Sequence, residues 1–291
     1  MSKYLRPLLA VLLFVVVQGV TALIVSFGVK VYYMWEMARK TGESLFSTDV
    51  SLAIQPQAST GLLVSIIFIS SLITLWALVK PCRYVRFPLA FDARDVHWRW
   101  VPAAILACMA GILAVNLFTE RFELPDWVGG EVMGLVSTLP GVLAVGVVGP
   151  ILEEAVFREA LLGGMLLEKV RPWIAILISA LVFGLVHGNP AQFPAAFIIG
   201  LLLGVIYYKT GNIVVPILMH MANNLICVAQ AWALGDAAST FSLGEWMGGD
   251  PVALGVLGIS VMACIGLLYH FVRHYPVVVT QENSDDDIKY I

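Results

Sequence analysis

The sequence has few charged residues and little basic character. Only 13% of its 291 residues are Asp, Glu, Lys or Arg, whereas about a quarter of an ordinary soluble domain is charged. A water-soluble fold is therefore excluded. The net charge of -3 leaves no basic surface that could neutralise a phosphate backbone, so nucleic acid is not an expected partner.

Cysteine is also sparse. The four cysteines, Cys82, Cys108, Cys227 and Cys264, are scattered without a CxxC pair, and all but Cys82 lie in apolar runs. We interpret them as small buried apolar side chains rather than as disulfide or metal ligands.

Apolar residues dominate instead, at 59% of the chain, and the mean hydropathy is +0.88. A bilayer core about 30 Å thick needs about 20 helical residues per crossing. The chain therefore predicts an all-α fold, a polytopic membrane bundle of about eight transmembrane helices. Charge-poor runs place these helices near 7–31, 60–79, 100–118, 132–168, 172–188, 192–208, 213–234 and 252–272.

The basic residues predict the orientation, because Lys and Arg accumulate in cytoplasmic loops. They precede the first helix and follow the second, whereas the segment 120–131 is acidic and 235–250 has no base. Both termini should therefore be cytoplasmic. We expect a single membrane domain over 1–278, with a catalytic core at 132–234, and a polar, disordered cytoplasmic tail over 279–291. The loop 32–59 fits less well, and a short interfacial helix is one interpretation of it.

One predicted span carries a charge cluster. Glu153, Glu154, Arg158 and Glu159 lie within seven positions of the fourth span, where one charged residue at the bilayer centre costs about 2.5–3.5 kcal/mol. Glu154 and Arg158 are four residues apart and can pair on one helix face. Glu153 points about 100° away, so we expect it to remain free.

The same segment is too long for one straight span, since 37 residues at about 1.5 Å each would reach roughly 55 Å. We expect it to bend or break at Pro140-Gly141 or Gly149-Pro150. A helix restarting at Pro150 would put both glutamates in its first turn, where the helix dipole favours carboxylates.

Three further polar side chains interrupt apolar helices. His187 ends one such run, and His220 and Asn224 are four residues apart on one face of the next-but-one helix. Polar groups from three helices can therefore converge in the bundle interior. The turn Gly188-Asn-Pro190 carries no charge, so we expect it to stop short of the outer surface, buried in protein or lining water.

These residue types suit amide hydrolysis. Glu153 can take a proton from water while a histidine helps to hold that water, and His220 and Asn224 can donate hydrogen bonds to the oxygen that becomes negative. Ser179 and Cys227 lie about two turns from the nearest histidine, too far for a covalent mechanism. Glu153, His187 and His220 could alternatively form a zinc site with one open position.

Three motifs carry a family resemblance. Glu153-Glu154-Ala-Val-Phe-Arg158 is an EExxxR motif, Phe183-Gly-Leu-Val-His187 an FxxxH motif, and His220-Met-Ala-Asn-Asn224 an HxxxN motif. In this order, the chain resembles the CAAX-protease and bacteriocin-processing (Abi) family, which includes the type II prenyl endopeptidases.

The resemblance implies an intramembrane endopeptidase of the glutamate type. Glu153 would be the catalytic glutamate and His187 its partner in activating water, with Glu154 and Arg158 as supporting residues. His220 and Asn224 would carry the oxyanion hole. No cofactor is implied, zinc being the alternative, and the expected substrate is a membrane-anchored or lipidated peptide, such as a prenylated CAAX tail. The general family pattern favours a bacterial inner membrane.

Two other classes remain open. A non-catalytic scaffold or bacteriocin-immunity protein could keep the polar cluster for binding alone. A proton-coupled transporter could use intramembrane Glu and His to relay protons. The sequence does not predict the oligomeric state.

Overall fold

A computed structural model describes residues 4–42, 60–85, 92–94, 96–235, 237 and 241–276. Within these ranges the chain forms helices and turns without a β-strand, so the predicted all-α fold is confirmed. Seven of the helices described there are long and apolar enough to cross a membrane. An eighth apolar helix is shorter, and together they agree with the prediction of about eight spans.

Most of the predicted apolar runs coincide with long helices, with two differences described below. The helices are α1 Leu5–Thr41, α2 Thr60–Val79, α3 Val101–Thr119, α4 Gly129–Val136, α5 Leu139–Leu167, α6 Pro172–Val186, α7 Phe193–Thr210, α8 Val214–Leu234, α9 Leu243–Trp246 and α10 Asp250–His274. The 15 residues of α6 give it a length of about 22 Å, less than the thickness of a bilayer core.

α1 extends ten residues beyond its predicted end. It continues to Thr41 and stops at Gly42, whose left-handed φ of 75° closes the helix. The first part of the supposed loop 32–59 is therefore helical. The remainder, 43–59, where an interfacial helix was considered, and the predicted tail 279–291 lie outside the described residues.

The predicted long helix 132–168 is two helices, α4 and α5, separated at Ser137 and Thr138. Thr138 caps α5, because its Oγ1 accepts a hydrogen bond from the Gly141 amide. A side chain at Gly141 would collide with the Leu135 carbonyl, so only glycine fits this corner. The break expected near Pro140-Gly141 is thus confirmed just before these residues.

The second expected break is wrong. α5 continues through Gly149 and Pro150, so Glu153 and Glu154 do not lie in a first turn. The helix instead widens into two π-helical stretches, Ala144–Val148 and Ala155–Gly163. A π-helical turn accommodates a residue that the α-helical hydrogen-bond pattern cannot, and such turns are frequent at functional sites.

α5 supplies the centre of the bundle. All nine residues of its second π-helical stretch are buried, and α1, α6 and α7 pack around them. α7 approaches α6 closely because Gly200 and Gly204 face Ala180 and Ile176. These glycines therefore serve helix packing, as their spacing predicts.

We expect Gly200→Val to destabilise the bundle. A Cβ there would lie 3.0 Å from Ala180 Cα and 3.3 Å from Phe183 Cδ1, and overpacking a core costs about 1–3 kcal/mol. The midpoint of thermal unfolding should fall by about 5 °C, measured by static light scattering of the purified protein. Gly28→Val is the matched control, because a Cβ at Gly28 meets nothing within 4 Å. An equal fall in both variants would contradict the packing role.

The interpretation of the cysteines is only partly correct. Cys108 is buried, Cys82 and Cys264 are partly buried, and Cys227 is exposed on α8. All four are free thiols. Cys227 lies beside the buried Val228, which packs against Val142 of α5, so the two neighbours are on different faces of α8.

Candidate active site

The two glutamates lie on α5 immediately before its second π-helical stretch. Glu154 is fully buried, whereas a quarter of the Glu153 side chain is exposed. Glu154 Oε2 lies 3.0 Å from Nε of the fully buried Arg158. The predicted ion pair between these two side chains is therefore present, and each charge offsets the desolvation of the other.

The ring of Phe183 covers the arginine. It lies 4.5 Å from the Arg158 Cζ atom, close enough for a cation–π interaction. In the described part of the chain, both terminal nitrogens of Arg158 lack a hydrogen-bond partner. The guanidinium is therefore held by one carboxylate and one aromatic face, with no access to solvent.

His220 joins the two glutamates. Its Nδ1 atom lies 2.8 Å from Glu154 Oε1, and its Nε2 atom lies 3.5 Å from Glu153 Oε2. The expectation that Glu153 remains free was wrong. The spacing of residues along α5 does not show that α8 places His220 beside Glu153. Together with Arg158, these three side chains form a continuous chain of ionisable groups, which we call the charge chain.

His187 occupies the end of α6, one turn after Phe183. Its Nδ1 atom lies 2.8 Å from the Phe183 carbonyl oxygen. A carbonyl only accepts, so Nδ1 is the donor and the neutral ring keeps Nε2 as an acceptor. The Phe183 ring lies 4.9 Å from the His187 ring and 5.6 Å from the His220 ring.

Phe183 therefore links the histidines of two helices. Within the described residues, His187 makes no direct hydrogen bond or ion pair with Glu153. The structure thus brings His220 to the glutamates directly, and it brings His187 to the same region through the Phe183 ring.

The turn after His187 packs against the loop that precedes α4. Asn189 is 2% exposed; its Nδ2 donates to Asp126 Oδ1 at 2.8 Å, and its Oδ1 accepts from the Trp127 amide at 3.1 Å. Gly188 is exposed, with a left-handed φ of 60°. Sequence reasoning missed the link between Asn189 and Asp126, since these residues are 63 positions apart.

Asn224 contacts α5 at an unexpected place. Its Nδ2 atom donates to the Val145 carbonyl at 2.9 Å, and its Oδ1 accepts from Asn223 Nδ2 at 3.1 Å. Asn224 therefore lies one helical turn beyond His220 on the face that contacts α5. Sequence analysis found Asn224 but not its partner, because a backbone carbonyl leaves no trace in the residue pattern.

Ser179, which was considered as a nucleophile, has a structural contact. It is 1% exposed, and its hydroxyl donates to the Phe157 carbonyl at 2.8 Å, within the second π-helical stretch. A hydroxyl engaged by a backbone carbonyl in the core is not available to attack a substrate.

The described residues contain no ligand set for the zinc alternative. Among the described residues, no group of three or more His, Cys, Asp and Glu side chains is arranged to hold a metal ion. Glu153, His187 and His220 do not therefore converge as three ligands. The metal-free mechanism stays a prediction.

The fold and the site together define a polytopic membrane protein whose helices enclose a carboxylate–imidazole cluster. Residues 135–226 match the family model described as type II CAAX prenyl endopeptidase Rce1-like. This segment contains all three motifs and the whole charge chain. It confirms the resemblance to the CAAX-protease and bacteriocin-processing family.

Curated relatives agree with this match. The chain is 34% identical over 101 residues to the putative membrane peptidase YdiL of Bacillus subtilis, covering 34% of this chain and 41% of the relative. It is 34% identical over 85 residues to the membrane-embedded CAAX protease MroQ of Staphylococcus aureus, covering 28% of this chain and 34% of the relative.

A third relative, an uncharacterized 24.3 kDa protein of Escherichia coli, is 25% identical over 147 residues, covering 46% of this chain and 64% of the relative. The chain thus spans about two fifths or less of the first two relatives. No solved structure matches it.

Proposed function

We propose that this protein is an intramembrane endopeptidase that hydrolyses a peptide bond of a membrane-anchored substrate with water activated by Glu153. The observation that carries the proposal is the contact of His220 with both Glu153 and Glu154. A family match over the same segment and two relatives named as a membrane peptidase and a CAAX protease support it.

The charge chain suits this chemistry. It gives each carboxylate a basic neighbour: Arg158 Nε lies 3.0 Å from Glu154, and His220 Nε2 lies 3.5 Å from Glu153. Glu154, paired with Arg158, accepts a hydrogen bond from the Nδ1–H of His220 and holds the ring in place. A proton on Nε2 of the same ring can be donated in a hydrogen bond to an oxyanion beside Glu153.

His187 complements Glu153. Because its Nδ1–H donates to the Phe183 carbonyl, Nε2 can accept a hydrogen bond from water. Glu153 removes a proton from that water as the oxygen attacks the substrate carbonyl. The tetrahedral intermediate then collapses, the C–N bond breaks, and the proton on Glu153 passes to the leaving amine.

The position of the site supports a membrane-anchored substrate. Glu153 is central in α5, about 21 Å from either end at about 1.5 Å per residue, so the scissile bond has to reach membrane depth. A lipidated tail, such as a prenylated CAAX peptide, satisfies this requirement. All three relatives are bacterial, which supports a bacterial inner membrane, with both termini predicted to be cytoplasmic.

The proposal is tested with purified wild-type protein in lipid vesicles prepared in H₂¹⁸O. We expect cleavage of a membrane-anchored peptide library, with one ¹⁸O in each new carboxyl group by mass spectrometry. Farnesylated and unmodified versions of each peptide would define the need for a lipid. Protein-free vesicles are the control.

Two results would change the assignment. Cleavage lost with a chelator and restored by zinc would contradict the metal-free mechanism. Intact peptides, together with solute uptake driven by a pH gradient, would favour the proton-coupled transporter.

A further inference from the structure

The π-helical hydrogen-bond pattern of α5 leaves one carbonyl group, that of Val145, without an expected backbone donor. In the first π-helical stretch, the Gly149 amide donates to the Ala144 carbonyl, five residues back. Gly149 is therefore not the α-helical partner of Val145. The π-helical partner of Val145 would be residue 150, which is a proline and has no N–H.

The Asn224 side chain supplies the missing donor. Its Nδ2 atom lies 2.9 Å from the Val145 oxygen. The neighbouring Gly146 faces α8, and a Cβ there would lie 2.7 Å from Leu225 Cδ2. An unsatisfied carbonyl at membrane depth is costly, so this hydrogen bond has to be made by a side chain.

The contact also fixes how the amide is turned. Asn223 Nδ2 donates to Asn224 Oδ1 at 3.1 Å, so the oxygen is engaged and the nitrogen faces α5. One Nδ2–H of Asn224 donates to the Val145 carbonyl. The second remains available on the same face of α8 as His220, one turn away.

We propose that Pro150, by leaving the Val145 carbonyl unpaired, is a positioning residue that holds the Asn224 amide as an oxyanion donor. The catalytic part of this inference rests on the proposed function. Pro150 acts because it has no N–H. A residue with an N–H at this position would pair with the Val145 carbonyl, and Asn224 would then have no fixed partner on α5. Pro150 and the HxxxN motif are thus two parts of one arrangement.

The experiment is a double-mutant cycle on the full-length protein with Pro150→Ala and Asn224→Ala. Pro150→Ala restores an N–H that competes for the Val145 carbonyl. We expect kcat to fall about tenfold with KM unchanged. Removing an oxyanion donor lowers kcat about 10²–10³-fold, and in Pro150→Ala the Asn224 amide is misplaced rather than lost. In the Asn224→Ala background, Pro150→Ala should change kcat by less than about twofold.

Thermal unfolding provides a readout that does not depend on cleavage. Asn224→Ala should lower the unfolding midpoint by about 4 °C, because the Val145 carbonyl loses its donor. In the Pro150→Ala background this loss should be less than half as large. Pro251→Ala is the control: Pro251 lies in the first turn of α10, where a missing N–H breaks no helical hydrogen bond.

The outcomes distinguish the positioning role of Pro150 from the proposed peptidase function. Equal kcat losses from Pro150→Ala in both backgrounds would overturn the positioning role. Additive midpoint shifts would overturn the link between Pro150, Val145 and Asn224, with or without activity. Coupled midpoint shifts in a protein that cleaves no peptide would refute the proposed function, and with it the catalytic part of this inference.

Discussion

Glu153→Gln should lower kcat for peptide cleavage by about 10³-fold with little change in KM. The amide has the shape of the carboxylate but cannot accept the proton of the attacking water, and general-base catalysis contributes about 10²–10⁴-fold. The substituted side chain still lies against His220, so the substrate should bind as before. Single-turnover cleavage in vesicles, followed by mass spectrometry, measures the rate of the chemical step.

The matched control for this change is Glu168→Gln. Glu168 is exposed just beyond the end of α5, so the same substitution there should leave the rate within about twofold of wild type. Wild-type turnover by Glu153→Gln would eliminate Glu153 as the base. Intact protection from a bacteriocin in that variant, in a cell that requires this protein for immunity, would favour the non-catalytic alternative.

Arg158→Met should cause the largest loss of stability among the charge-chain residues. It leaves Glu154 without its cation in a site without solvent, and removing one partner of a buried ion pair costs about 3–5 kcal/mol. The unfolding midpoint should fall by about 10 °C, and less protein should accumulate in the membrane. Light scattering during heating and immunoblotting of membrane fractions measure both effects.

A second substitution identifies the cause of the stability loss in Arg158→Met. Glu154→Gln combined with Arg158→Met removes both charges and should recover most of the stability lost by Arg158→Met alone. Lys40→Met, which breaks an exposed ion pair with Glu36 on α1, should be neutral. A double variant as unstable as the single one would show that the arginine acts through packing against Phe183 rather than through charge.

The helices were predictable because membrane spans leave a strong composition signal. The run at 60–79 matches α2 at both ends, since no charged residue interrupts it. The division of 132–168 was harder to place, because Pro140 and Pro150 look alike in the sequence. Only the first lies near a helix start; the second is accommodated in a continuous helix by a wide turn.

The sequence identifies the individual residues of the site but only some of the contacts between them. The pairing of Glu154 with Arg158 follows from helical spacing and is present. The contacts of His220 with both glutamates depend on how α8 packs on α5, which periodicity does not report. The hydrogen bonds to the Val145 and Phe157 carbonyls depend on π-helical turns, for which the sequence offers only the ambiguous Gly149-Pro150.

The wide turns of α5 also make the spacing of its residues count. The wide turn at Ala144–Val148 holds one residue more than an α-helical turn, so the two halves of α5 keep nearly the orientation of an unbroken α-helix one residue shorter. One further residue there, or closure of the stretch into an α-helix of the same length, would rotate the half carrying Glu153 by about 100° relative to the preceding half. α8 could then no longer meet both halves at once, so this segment should tolerate changes of side chain more readily than the insertion of a single residue.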